Sequence, residues 1–105
     1  MNNLEHSFEN NNLIVKIKES KLMDDAAIVV LAEKIIALLE SVTGNECTID
    51  FSEVQYISSS MLGKIVAINK KSKEKNVKVI LKSVNPDIKE IFQITKLEKF
   101  FTFID

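Results

Sequence analysis

Thr48-Ile49-Asp50-Phe51-Ser52-Glu53-Val54-Gln55-Tyr56-Ile57-Ser58-Ser59-Ser60-Met61-Leu62-Gly63 is the stretch on which the reading of this chain turns. Cys47, Ile49 and Phe51 alternate with Thr48 and Asp50, the period of a strand with one buried face. A short polar loop follows. After Ile57 the period changes: Met61, Leu62, Ile65, Val66, Ile68 and Asn69 recur at helical spacing, with Lys64, Lys71 and Lys75 opposite. Three serines therefore stand at the mouth of a helix. One serine oxygen can accept a bond from an orphan N–H of the first turn, worth about 1 kcal/mol. The other two leave hydroxyls near a helix N-terminus, whose partial positive charge favours a phosphate.

Outward from this stretch, the N-terminal side predicts strands over 4–9 and 13–18, joined by an Asn10-Asn11-Asn12 turn, because asparagine tolerates the left-handed backbone of a hairpin. Residues 19–23 read as a loop. Asp24 or Asp25 can cap a helix running to about Ser41, and both suit its dipole. Ile28, Leu31, Ala32, Ile35, Leu38, Leu39 and Val42 form its core stripe. Val29, Val30, Ile36 and Ala37 widen that stripe, which predicts a helix packed on more than one side, ahead of a partner-binding face. Gly44 is the expected stop. A strand, a helix and a second strand in this order imply parallel pairing.

On the C-terminal side, the serine-capped helix spans about 59–75 and Asn76 breaks it. A strand covers 77–83. Asn85-Pro86 opens a third helix, asparagine as cap and proline at the first helical position, with Ile88, Ile91, Phe92 and Thr95 inward. Phe100, Phe101, Phe103 and Ile104 close the chain as a turn and a short strand at a sheet edge. The expected class is α/β: a mixed sheet of four or five strands with about three helices packed on it, in a single domain over 1–105.

Bulk properties narrow the function. The chain has 105 residues and a formal net charge of −1, which speaks against general attraction to nucleic acid. Residues 1–53 hold ten acids and four lysines; residues 54–105 hold ten lysines and five acids. All fourteen basic residues are lysine, so the arginine fork that reads guanine or phosphate is missing. The lysines at 64, 70, 71, 73, 75, 78 and 82 read first as a solvated surface and second as a face for an acidic partner. No apolar run approaches the ~20 residues of a membrane span, and Met1–His6 lacks the basic and apolar regions of a leader, so the cytoplasm is the expected compartment. One cysteine cannot form an internal disulfide. Cys47 reads as a small apolar core residue, and His6 as a surface residue rather than a metal ligand. With only Gly44 and Gly63, the chain has no phosphate-binding glycine loop, and the serines have no base within reach along the sequence. No enzyme, metal or cofactor is expected.

The central stretch also resembles the signature of STAS domains, a family that includes the anti-sigma factor antagonists of bacteria. That signature is a strand ending in Asp/Asn-Leu/Phe-Ser, then Val-x-Phe/Tyr-Ile, then Asp-Ser-Ser-Gly-Leu-Gly. Here it reads Asp50-Phe51-Ser52, Val54-Gln55-Tyr56-Ile57 and Ser58-Ser59-Ser60-Met61-Leu62-Gly63. The segment from Asn85-Pro86 to Thr95-Lys96-Leu97 and Phe100-Phe101 is similar to the family's closing pattern, a proline-started helix ending in Thr-Gly-Leu before an aromatic. The resemblance implies a partner switch in transcription regulation. An anti-sigma factor of the histidine-kinase-like ATPase type phosphorylates the antagonist, and a serine phosphatase reverses it. Alignment puts the acceptor at Ser59, ahead of Ser58 and Ser60, and partner contacts at Asp24, Asp25, Ser58, Ser60, Met61 and Lys64. A monomer or weak dimer is expected. Ser58 stands where the signature has aspartate, Met61 and Lys96 where it has glycine, and Met23 where the family carries an aspartate before its first helix. The alternative expectation is a non-switching STAS subunit of a signalling scaffold or a membrane transporter complex. Nucleotide binding at the serine-capped helix ranks third.

Overall fold

The computed structural model describes residues 3–105; Met1 and Asn2, part of the stretch read above for a leader, lie outside the described residues. A β-hairpin starts the fold: β1 (Leu4–Glu9) and β2 (Asn12–Ile17) pair antiparallel, Glu9 opposite Asn12. Asn10 and Asn11 alone make the turn, at φ 54° and 68°. Two successive left-handed residues match the twist of a tight hairpin, and asparagine tolerates that region better than most residues. Asn12 joins the strand instead.

Then come β3 (Lys21–Leu22), α1 (Asp25–Leu39), β4 (Glu46–Asp50), β5 (Tyr56–Ile57), α2 (Ser59–Glu74), β6 (Lys78–Lys82), α3 (Pro86–Ile94), a 3₁₀ turn over Glu98–Phe100 and β7 (Thr102–Ile104). The main sheet has the order β1-β2-β4-β6-β7, with every pair after the hairpin parallel. This is a mixed five-stranded sheet with three helices, the class expected from the sequence. Its ends differ from the expected ones by one or two residues, as helix and strand termini do.

The core follows the strand period. Leu13, Cys47 and Val79 lie in one row across β2, β4 and β6, and Val15, Ile49 and Leu81 in the next, all but Val79 at 1% exposure or less. Ile28, Leu31, Ala32, Ile35 and Leu39 of α1 and Met61, Ile65 and Ile68 of α2 are buried in the same core. Each Val, Leu, Ile or Met side chain among these contributes about 1.5–3 kcal/mol when fully buried. Phe92 of α3 meets Phe101 and Phe103 edge to face, at 5.3 and 5.5 Å between ring centres.

Four expectations need correction. Residues 19–23 are not all loop: Lys21–Leu22 pairs with Tyr56–Ile57 as a separate two-stranded sheet. Gly44 is not the helix stop, since no glycine has positive φ and α1 ends in a tightened turn closed by Glu40, Ser41 and Val42 N–H groups. Gly44 serves close approach. Its N–H donates to the Asn11 carbonyl at 2.8 Å, and an added Cβ would run into the Asn12 side chain. The helix α1 packs on both α2 and β2, with Ile36 leaning on the core, but the widening does not extend to Val29 and Val30, which are 38% and 50% exposed. Thr95 does not point inward; its hydroxyl donates to the Ile91 carbonyl at 2.7 Å from an exposed position.

Candidate functional site

The serines sit where two helices begin side by side. The pairing of Leu22 with Ile57 is parallel, and the Ser58 N–H extends it by donating to the Leu22 carbonyl at 2.9 Å. The cap of α1, Asp24, comes two residues after Leu22, and the cap of α2, Ser58, one residue after Ile57. The small sheet thus brings both helix N-termini to one end of the molecule. Its strand chemistry is simple: Leu22 and Ile57 turn into the core while Lys21 and Tyr56 face out.

Each cap is a side-chain bond. Asp24 Oδ2 accepts from the Ala27 N–H at 3.0 Å, with Asp24 extended at φ −79°, ψ 117°. Ser58 Oγ accepts from the Met61 N–H at 3.2 Å, from φ −87°, ψ 169°. Both satisfy an orphan donor of the first turn. Asp24 is therefore the cap of the two candidate aspartates, and Asp25 lies in the first helical turn, where its charge complements the dipole. The first turn of α2 carries no acid. Its partial positive charge is left without a carboxylate of its own helix.

With Ser58 used as cap and half-buried, Ser59 and Ser60 stand exposed at the first two helical positions. Lys64 lies one turn further on, half-buried. Met61 does not belong to this surface: it is 1% exposed and packs in the core, because the residue directly after two outward serines turns to the inner face. Gly63 is exposed, and a Cβ there would meet nothing within 4 Å. Among the described residues nothing requires a glycine at that point, although glycine in a helix costs about 1 kcal/mol against alanine.

The loop leading to the serines is held from several sides. Asp50 Oδ1 accepts from the Ser52 N–H at 2.8 Å, and the Phe51 N–H donates to the Lys82 carbonyl at 2.8 Å. Gln55 and Tyr56 N–H groups donate to the Ser20 carbonyl. Asn85 caps α3 through Oδ1 and uses Nδ2 to donate to the Val54 and Gln55 carbonyls. Glu53 takes Lys18 Nζ at 2.9 Å and Lys16 Nζ at 3.4 Å, and the hydrogen bond from Lys18 is the main cause that lowers its carboxyl pKa. Neither the bracing by Asn85 nor the ion pairs follow from sequence spacing, since the partners are about thirty residues or more apart.

Two exposed side chains at this end were missed by the reading of the sequence. Met23, 53% exposed, precedes the Asp24 cap, and Tyr56, 50% exposed, is the outward residue of β5. A two-residue strand is too short to alternate, so periodicity carried no signal for Tyr56.

This arrangement can be placed among known proteins. A sequence model of the STAS domain matches residues 2–105. The chain belongs to the STAS domain family. Solved structures agree on the fold. The anti-sigma-factor antagonist (STAS) domain protein of Planctomyces limnophilus superposes with a TM-score of 0.84 at 20% identity, covering 98% of this chain and 89% of that one. The protein TM1081 of Thermotoga maritima gives 0.81 at 19% identity, with 97% and 86% covered. The Bacillus cell fate determinant SpoIIAA in its phosphorylated form gives 0.73 at 15% identity, with 95% and 89% covered. Among the described residues of this STAS chain, no helix is long and apolar enough to cross a membrane.

Proposed function

We propose that this STAS protein is an anti-sigma factor antagonist, and that phosphorylation of Ser59 by a partner anti-sigma kinase switches its binding off. The observation that carries the reading is the division of labour among the serines. Ser58 caps α2, while Ser59 is exposed at the first helical position, beside the start of α1. A phosphoryl group there adds roughly −1.5 to −2 charges at a helix end that favours them. The fold tolerates it. A partner surface fitted to a neutral hydroxyl does not, because an uncompensated charge buried in an interface costs several kcal/mol. The unphosphorylated form binds the kinase and frees the sigma factor; the phosphorylated form lets go. Asp24, Asp25, Ser60 and Lys64, with Met23 and Tyr56, form the proposed contact surface, and Gly63 leaves room for close approach. That SpoIIAA has been solved in both unphosphorylated and phosphorylated forms supports a switch on this fold.

Intact-mass measurement of the protein from its own host, with fragmentation to locate the group, tests the modification. One phosphoryl group on Ser59 is expected. Titration of wild type and Ser59→Asp against the anti-sigma kinase tests the switch, with at least about tenfold weaker binding expected for the variant. An unmodified protein together with equal affinities would sink the proposal.

A second reading has its own observation. Val29 and Val30 are exposed on the outer side of α1, away from the core. A non-switching interaction subunit would use that face whatever the state of Ser59. Light scattering after size-exclusion chromatography decides on self-assembly: a strict monomer at high concentration rules out a scaffold made of copies of this chain.

A further inference from the structure

At the other end of α2 lies a feature that the switch does not use. We propose that the groove between the C-terminal half of α2 and residues 97–102 docks a peptide segment of a partner protein, one in which a large apolar side chain is flanked by carboxylates. Two adjoining hollows, about 240 and 410 Å³, share Asn69, Lys73, Phe100 and Phe101 as walls. Val66 and Leu97 also line the smaller one. The larger runs on to Thr102, at the start of the edge strand β7.

The charge of the rim specifies the occupant. Lys73 Nζ and Lys99 Nζ each stand 5.4 Å from the centre of the Phe100 ring. Lys70 and Lys78 complete the rim. Among the described residues these four lysines enter no ion pair, whereas Lys16, Lys18, Lys71 and Lys75 each find a carboxylate. The acids next to them in sequence are engaged elsewhere, Glu74 with Lys71 and Glu98 with the Gln93 side chain. Two like charges over one ring repel each other, and incoming carboxylates relieve that repulsion.

The floor specifies the rest. Phe100 is 47% exposed, a large aromatic face left open to water beside an apolar hollow that holds one sizeable side chain. Asn69 is only 8% exposed, and its side-chain amide reaches the Phe100 carbonyl at a long 3.5 Å. That amide N–H can instead donate a shorter bond to an incoming backbone carbonyl. An elongated trough of two hollows suits a chain segment rather than a compact anion. Recessed apolar surface suits an inserted side chain rather than a bilayer. The all-lysine rim, without arginine, does not favour nucleic acid. Fourteen residues of helix separate Ser59 from Lys73, about 21 Å at 1.5 Å per residue, so both ends of α2 can be engaged together.

The test is an amide-resolved NMR titration of the full chain with a short synthetic peptide, phenylalanine and leucine at its centre and aspartates and glutamates on both sides. Saturable shifts confined to Val66–Val79 and Leu97–Thr102 are expected. Lys73→Glu, Lys99→Glu and Phe100→Ser should each weaken binding about tenfold, since each removes one charged or aromatic anchor at the surface without touching the core. Ser59→Asp should leave it unchanged. Absence of saturable shifts at millimolar peptide overturns the proposal. So does equal binding of a control peptide with serines at its centre, which would reduce the effect to charge alone. Tighter binding of a single-stranded oligonucleotide than of the peptide overturns it in favour of nucleic acid.

Discussion

Single residues carry much of the local logic. Lys96 occupies φ 62° at the end of α3, inside a Schellman closure in which the Leu97 N–H reaches the Phe92 carbonyl and the Lys96 N–H reaches that of Gln93. The family signature has glycine there, and the structure supplies the reason: a Cβ in the left-handed region costs about 1 kcal/mol. Lys96→Gly should raise stability by about 1 kcal/mol, read as a higher denaturant midpoint at unchanged slope. Asn76 closes α2 in the same way at φ 60°, with its strain eased by residue type. Cys47 shows a different effect. Burial pushes its thiol up from 9.0 to about 12. The unfolded chain releases that proton near pH 9 while the folded chain holds it, so the folded state binds more protons and loses stability as pH rises. Between about pH 9 and 12 the stability of wild type should fall more steeply than that of Cys47→Ala, measured by urea unfolding at a series of pH values.

At the level of elements, the serines separate cleanly. Ser58→Ala should cost about 1 kcal/mol, because the Met61 N–H loses its acceptor. Ser59→Ala should be near neutral in stability, its hydroxyl being exposed and free of cap duty, while removing the proposed phosphoryl acceptor. Thermal melts of both variants, set beside phosphorylation by the proposed partner kinase, check the pair. If Ser59→Ala were the destabilising one, the assignment of cap and acceptor would have to be exchanged. Gly63 adds a counterpart on the same helix: Gly63→Ala should stabilise the isolated chain by about 0.5–1 kcal/mol, since nothing crowds the new methyl group. Weaker kinase binding in the same variant would show that the glycine serves the partner.

For the molecule as a whole, α3 and the closing strand depend on one ring. Phe92 is fully buried and meets both Phe101 and Phe103. Phe92→Ala should cost about 3–5 kcal/mol, seen as a large loss in denaturant midpoint. The Asn85 side chain ties that same C-terminal segment to the loop before the serines, so the loss should also speed amide exchange over Val54–Tyr56, provided the chain still folds. Amide exchange left unchanged at the loop would show that the two ends move independently.

The elements themselves were legible because they depend on local periodicity. The alternation around Ile49, the helical spacing from Met61 to Asn69, and the turn and cap residues Asn10, Asn11, Asp24, Asn76, Asn85 and Pro86 all act within a few residues of themselves. The sequence also placed the serines at a helix start, since capping is local chemistry. It could not say which serine caps, because that depends on where β5 lets the helix begin. Periodicity put Met61 on the inner face, where it lies, against its alignment with the partner surface; it could not show that Val29 and Val30 are left in solvent, or that Gly44 meets the hairpin instead of stopping α1. These were decided when distant segments packed. Lys21–Leu22 and Tyr56–Ile57 are too short for any periodic signal, yet their pairing sets the two helix starts side by side. Two residues of strand are worth little alone and are stable only when the core beneath them, Leu22 and Ile57 included, is already built.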